Sequence, residues 1–221
     1  MGGNAVHHAA IVAGLETVYG LDLEGFRFLT LEPWGKTDLQ IAVDCLDAHG
    51  VDEEIQTALL EEWAARAQSL HADLAADGEP PLAAPAAREA LERLHAGGGL
   101  LGLVTGNLRA IAIRKLELAG LGMLFRDAPG GFGSDHRERA ELVRLARVRA
   151  GDGGPPWPAE RTVIIGDTPR DIACARADGV ACVAVTTGPF DAAALSEADA
   201  IVDGLGELEA ALRGLGLSPG P

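Results

Sequence analysis

The stretch Thr162-Val163-Ile164-Ile165-Gly166-Asp167-Thr168-Pro169-Arg170-Asp171 joins a short apolar run to a polar turn and a helix start. A continuous run of this kind suits a strand buried on both faces, as in a parallel sheet covered by helices. A strand is therefore expected over Thr162–Ile165, running into Gly166-Asp167, with a helix over about Arg170–Ala177. The same alternation extends outward in both directions. Leu100–Val104 leads into Thr105-Gly106-Asn107 and a helix from Leu108 to about Leu118. Glu138–Ala150 has helical spacing, Ala181–Val185 is strand-like, and Ala200–Val202 makes a further short strand. Apolar strands alternating with helices imply an α/β fold built on a parallel sheet.

The N-terminal part has a different texture. Apolar positions recur at helical spacing from Ala5 to about Tyr19, and Gly20 is a natural stop. Thr37-Asp38-Leu39-Gln40 fits a capping box, a Thr N-cap with Gln three residues on, opening a helix to about His49. Asp52 can cap the next helix, on which Ile55, Leu59, Leu60, Trp63, Ala67, Leu70 and Leu74 form an apolar stripe. Asp77-Gly78-Glu79-Pro80-Pro81 forms a turn and a domain boundary, dividing the chain into a helical part, 1–83, and an α/β part, 84–221. The end, about Gly214–Pro221, is expected to be a loose tail.

Composition narrows the function. The 221 residues include 33 acidic and 18 basic, a net charge of −15, which disfavours a general grip on nucleic acid or on an anionic membrane surface. No apolar run reaches the ~18 residues of a membrane helix. Met1-Gly2-Gly3-Asn4 carries neither the basic nor the apolar region of a secretory signal, so a cytoplasmic protein is expected. Cys45, Cys174 and Cys182 are odd in number and far apart, which suits reduced, buried thiols better than a disulfide or zinc framework.

Chemistry in open parallel sheets gathers in loops at the carboxyl ends of strands. At Thr105-Gly106-Asn107 a hydroxyl and free backbone N–H groups can meet an oxyanion, although the tripeptide is also an ordinary turn. At Gly166–Asp171 two carboxylates lie one helical turn apart, a spacing that suits a hard cation such as Mg²⁺ with several retained waters. An Asp favoured at a helix start explains one of these acids and not the whole string.

With these residues in hand, the chain resembles the haloacid dehalogenase-like hydrolases. Val104-Thr105-Gly106-Asn107 is similar to that family's second motif, and Ile164-Ile165-Gly166-Asp167-Thr168-Pro169-Arg170-Asp171 to its fourth. Gly35-Lys36-Thr37-Asp38 resembles the helical cap of phosphoglycolate-phosphatase-like members. The resemblance implies a Rossmann-like core with an N-terminal helical cap, and Mg²⁺-dependent hydrolysis of a small phosphorylated metabolite through an aspartyl-phosphate. It implies that Thr105, with Gly106 and Asn107, holds phosphate oxygens, and that Asp167 and Asp171 bind or orient the metal. A basic residue before a helix clamps phosphate; counting back from Val143 and Ala146 favours Arg137, with Arg139 second. The family has Lys there, and Arg supplies charge with a bidentate fork.

One part of the pattern is missing. The family's first motif, Asp-x-Asp-Gly-Thr at the end of a central first strand, does not occur. Asp22-Leu23-Glu24-Gly25-Phe26 is the near-match, but no strand precedes it, and Glu and Phe stand where Asp and Thr are required. The expectation is a sequence that starts inside a longer chain, a core lacking its central strand, and no aspartyl-phosphate chemistry by these residues alone. The alternative is a non-catalytic homologue that binds a phosphate ligand or a protein partner. Of the remaining residues, Lys36 could face an anionic substrate and Asp38 could order the loop, although the capping-box reading of Thr37 needs no substrate; Trp34 packs in the core or borders a substrate at the boundary. His7 and His8 diverge on a helix, which argues against metal binding, and His136 is a surface residue or a phosphate contact.

Overall fold

A computed structural model describes residues 3–24, 35–76 and 80–217. Trp34, Gly25, Phe26, the expected turn at Asp77–Glu79 and the tail from Ser218 lie outside them. In chain order the helices are α1 (Gly3–Tyr19), α2 (Asp38–Ala48), α3 (Glu53–Ala76), α4 (Ala87–Ala96), α5 (Arg109–Leu118), α6 (Ala140–Ala150), α7 (Pro169–Ala177) and α8 (Leu208–Gly214). The strands are β1 (Leu103–Thr105), β2 (Gly130–Phe132), β3 (Val163–Gly166), β4 (Ala181–Val185) and β5 (Ala200–Val202). The chain divides into two compact units. Unit 1 comprises Met1–Leu82, Thr105–Gly122 and Phe132–Glu138; unit 2 comprises Ala83–Val104, Met123–Gly131 and Arg139–Pro221. Unit 1 thus takes two segments beyond the helical part marked out by sequence.

In unit 1 the core joins Ile11 and Leu15 of α1, Ile41, Cys45 and Leu46 of α2, and Trp63 and Ala67 of α3 with Leu108 and Ile111. The last two carry the segment after β1 into this core, which is why it belongs with the helices. Trp63 is fully buried and donates its indole N–H to the Ile11 carbonyl at 3.3 Å. Thr37 caps α2, accepting from Gln40 N–H at 3.0 Å, but Gln40 turns its side chain to Asp44 and only half of the expected capping box forms. The stripe expected on α3 is rotated. Ile55 and Leu74 are 47% and 41% exposed, while Gln56, Trp63, Ala67, His71 and Ala75 are buried. Gln56 is drawn inward by its bonds to Asp47 Oδ1 at 2.7 Å and to the Val51 carbonyl at 2.9 Å, which apolar periodicity does not reveal.

In unit 2 the strands run β3-β4-β5, all parallel, with Val163 opposite Ala181 and Val183 opposite Ala200. Successive residues of a strand face opposite ways, and β4 uses both faces. Cys182 and Ala184 pack with Val143, Ile172 and Ala175, while Val183 and Val185 pack with Leu94, Leu208 and Leu212. Helices α6 and α7 therefore cover one face, and α4 and α8 the other, as expected for an α/β core. Among the described residues β3 pairs with β4 alone and β1 with β2 alone, so each carries one unpaired edge.

Candidate active site

In unit 2 the polar turn forms where β3 ends. Thr168 is extended (φ −130°, ψ 153°) and caps α7, with Pro169 opening the helix. The Asp171 carboxylate closes a capping box: its Oδ2 accepts from Thr168 Oγ1 at 2.8 Å, Thr168 N–H at 3.1 Å and Asp167 N–H at 3.2 Å. Its other oxygen accepts from Arg139 Nη2 at 2.6 Å. Both oxygens of Asp171 are thus engaged by protein donors, and the carboxyl is packed so closely that a Cβ on Gly166 would overlap it. The Cβ-free edge of Gly188, in the loop after β4, similarly admits the Asp167 side chain.

Asp167 is placed differently. Burial pushes its carboxyl above the ordinary range, and the neighbouring Asp171 adds to that; its own backbone N–H and Arg139 oppose it. No side-chain hydrogen bond to the Asp167 carboxylate is found among the described residues. A carboxylate held in this way is relieved by a cation. Arg139 has spare capacity of the opposite kind. Its Nε–H is buried with no hydrogen-bond partner among the described residues. Such a donor is expensive unless something accepts from it.

Arg139 therefore stands against Asp171, whereas Arg137 does not. The Arg137 side chain is 54% exposed and its nearest acid, Glu138, is 4.0 Å away. What Arg137 contributes is its carbonyl, which accepts from Thr37 Oγ1 at 2.6 Å. The side chain of Arg139 is only 17% exposed and that of Asp171 9%.

In unit 1 the loop Thr105-Gly106-Asn107 is braced on several sides. Thr105 Oγ1 accepts from Asn107 N–H at 3.2 Å, leaving the hydroxyl proton for another acceptor. The Gly106 carbonyl accepts from Asp38 N–H at 2.7 Å, and the Asn107 carbonyl from Gly133 N–H at 2.8 Å. Leu108 N–H donates to Asp38 Oδ2 at 2.7 Å. Only glycine fits at 106, where a Cβ would overlap the Lys36 carbonyl. Asn107 Oδ1 accepts from Lys115 Nζ at 3.0 Å. Lys36 Nζ donates to Asp44 Oδ2 at 2.8 Å, and exposed His136 accepts from Glu138 N–H at 2.9 Å.

Sequence patterns singled out Asp167, Asp171, Thr105, Gly106, Asn107 and Arg137, with Arg139 second, and offered Asp38 as ordering its loop. They did not reveal the contacts that join Lys115, His7 and Asp38. The one available signal was the Thr37-Asp38 pair, which reads equally well as an ordinary helix start.

No group of three or more His, Cys, Asp or Glu side chains among the described residues is arranged to hold a metal ion. Mg²⁺ needs fewer, since it keeps water and takes one or two carboxylates. No helix among the described residues is long and apolar enough to cross a membrane.

Comparison with known proteins adds the following. A family model for haloacid dehalogenase-like hydrolases matches residues 23–176. A phosphoglycolate phosphatase of Pseudomonas fluorescens is 28% identical over 145 residues, covering 65% of this chain and 48% of that protein. The chain thus spans about half the length of this curated relative. Among solved structures, CbbY from Rhodobacter sphaeroides in complex with phosphate superposes with a TM-score of 0.63 at 18% identity, covering 95% of this chain and 92% of that one. A β-phosphoglucomutase from Clostridium difficile gives 0.62 at 16% identity, covering 96% and 90%. At these identities the two structures speak for the fold.

Proposed function

The chain belongs to the haloacid dehalogenase-like hydrolase family, and from that premise we propose that residues 1–221 carry the phosphate- and cation-binding groups of a Mg²⁺-dependent phosphatase for a small phosphorylated metabolite, similar to phosphoglycolate phosphatases. The observation that carries this reading is the buried Arg139 Nε–H without a partner, on a side chain that Asp171 grips at 2.6 Å. A guanidinium anchored at one nitrogen and lacking an acceptor at another retains a donor for a phosphate oxygen.

In this reading Arg139, rather than Arg137, clamps phosphate. Thr105 donates its hydroxyl, and Gly106 and Asn107 shape the loop that presents it. Asp167 is the carboxylate that would hold Mg²⁺, and Asp171 orients Arg139 and the turn. When bound, the metal offsets charge on phosphate and on the attacking group. The nucleophilic Asp of the family motif is not part of this sequence. The proposal is therefore that these residues bind phosphate but do not by themselves form an aspartyl-phosphate. A non-catalytic phosphate-binding homologue is the second reading, favoured by the same missing acid pair.

Isothermal titration of inorganic phosphate, with and without Mg²⁺, tests the proposal. Binding that weakens in Arg139→Met and loses its Mg²⁺ dependence in Asp167→Asn is the expected result. Absence of binding, or binding indifferent to Arg139→Met, would remove its basis. Mg²⁺-dependent turnover of an aryl phosphate by the 221-residue chain would contradict the inactivity that both readings assign to these residues alone.

A further inference from the structure

Unit 1 contains a run of polar side chains that the proposed chemistry does not use. Lys115 Nζ on α5 lies 3.2 Å from His7 Nδ1 on α1 and 3.0 Å from Asn107 Oδ1. His7 Nε2 lies 3.1 Å from the Asp38 carboxylate at the start of α2. Asp38 then holds the loop twice, accepting Leu108 N–H and donating its own N–H to the Gly106 carbonyl, each at 2.7 Å. His7 and Asp38 are both buried.

The donor inventory gives this run a direction. Burial lowers the pKa of Lys115 and the Asp38 carboxylate opposes that; in its ammonium form the group only donates. His7 Nδ1 must therefore be the bare, accepting nitrogen, and Nε2 carries the proton that goes to Asp38. By the same rule the oxygen of Asn107 faces Lys115, so its amide NH₂ is the end left to donate elsewhere. The chain of bonds starts at Lys115, branches to His7 and Asn107, and ends on Asp38 and the loop peptides. Burying an ammonium and a carboxylate joined through a neutral imidazole is a costly way to hold helices together, since apolar side chains pack there at less desolvation cost. What the run does that apolar side chains cannot is fix three polar groups of one loop.

We infer that Asp38, His7 and Lys115 are positioning residues for the Thr105–Leu108 loop, and that Lys115 turns Asn107 so that it presents its amide NH₂ to a bound phosphate. This deepens the phosphate-binding reading above and rests on it.

The test uses the full 221-residue chain labelled with ¹⁵N. The imidazole ¹⁵N signals of His7 should show Nδ1 bare and Nε2 protonated in the wild type. In Lys115→Met the fixed tautomer is lost, and exchange of the Leu108 amide accelerates by about tenfold or more, as loss of a charge-assisted bond requires. The Val183 amide in β4 is unaffected, and Lys115→Arg restores most of the protection. Asn107→Asp separates the two halves of the inference. It keeps an acceptor for Lys115 and so keeps Leu108 protected, yet it puts a negative acceptor where the donor was. Its affinity for inorganic phosphate should fall by about tenfold or more. Should Lys115→Met fail to fold, Asn107→Ala cuts the same link at a half-exposed position, and should weaken phosphate binding while preserving the His7 tautomer. Unchanged exchange and tautomer in Lys115→Met, or undiminished phosphate binding by Asn107→Asp, would overturn the inference. A wild type that binds no phosphate would instead remove the phosphate reading, leaving the positioning claim to the exchange and tautomer results.

Discussion

Replacing Arg139 by Met should destabilise the protein far more than replacing Arg137 by Met. The Arg139–Asp171 pair is 2.6 Å long, with side chains 17% and 9% exposed. Removing one partner of a buried pair costs about 3–5 kcal/mol because the other charge is left uncompensated. Here Asp171 keeps three donors, from Thr168 Oγ1, Thr168 N–H and Asp167 N–H. Part of the charge therefore stays solvated by protein, and the expected loss falls below that range, at about 2–3 kcal/mol. For a chain of this size it corresponds to a fall in Tm of about 4–12 °C. Arg137 is 54% exposed and its acid neighbour is at 4.0 Å, so Arg137→Met should stay within about 0.5 kcal/mol of the wild type. Urea denaturation followed by circular dichroism reads both variants. The double variant Arg139→Met/Asp171→Asn should recover much of the loss, because it removes the stranded charge. Equal stabilities for the two Met variants would show that the Arg139–Asp171 contact does not have the energetic role assigned to it.

Three other expectations concern single positions. Gly106→Ala places a Cβ against the Lys36 carbonyl; it should cost about 1–3 kcal/mol by overpacking, read by urea denaturation, and a neutral result would mean that the two loops are not in close approach. His71 is buried, and burial, with help from His7 and Lys115, lowers its imidazole to about 4 from 6.5. The unfolded chain then binds the proton more tightly, so stability should be full above about pH 6.5 and decline as pH falls toward 4, by up to about 3 kcal/mol; in His71→Leu that stretch of the denaturation-midpoint profile should flatten. Asp167 has its carboxyl pushed up, chiefly by burial, so the folded state favours the proton and its ionised form weakens the fold as pH rises through the raised value. Asp167→Asn should therefore raise Tm at pH 7, the gain vanishing below the ordinary carboxylate range, and a Tm lower than wild type at pH 7 would show that Asp167 has stabilising partners.

The α/β core was legible because its signals are local. The apolar run before Gly166-Asp167 and the run at Ala181–Val185 each announce a doubly covered strand, and β3 and β4 form there. The acids of the turn were visible for the same reason, being neighbours in sequence. Assigning the basic residue needs the start of α6 to within two positions. The helix begins at Ala140, with Leu142 and Val143 buried, which puts Arg139 rather than Arg137 beside α7. Apolar spacing does not resolve a shift that small. The face of α3 was misjudged because Gln56 and His71 are buried by hydrogen bonding and by histidine packing, neither of which is encoded in hydrophobicity. The links from His7 to Asp38 and on to Lys115 join residues 31 and 108 positions from His7. No periodicity reaches across such a separation, so only the folded chain reveals them.

The most direct test of the central claim is an NMR titration of the 221-residue chain with inorganic phosphate in the presence of Mg²⁺. The expected result is a saturable shift of the Arg139 Nε–H signal, with the Arg137 side chain unmoved. A titration in which Arg139 Nε–H stays still while phosphate binds elsewhere, or in which nothing saturates, would contradict it.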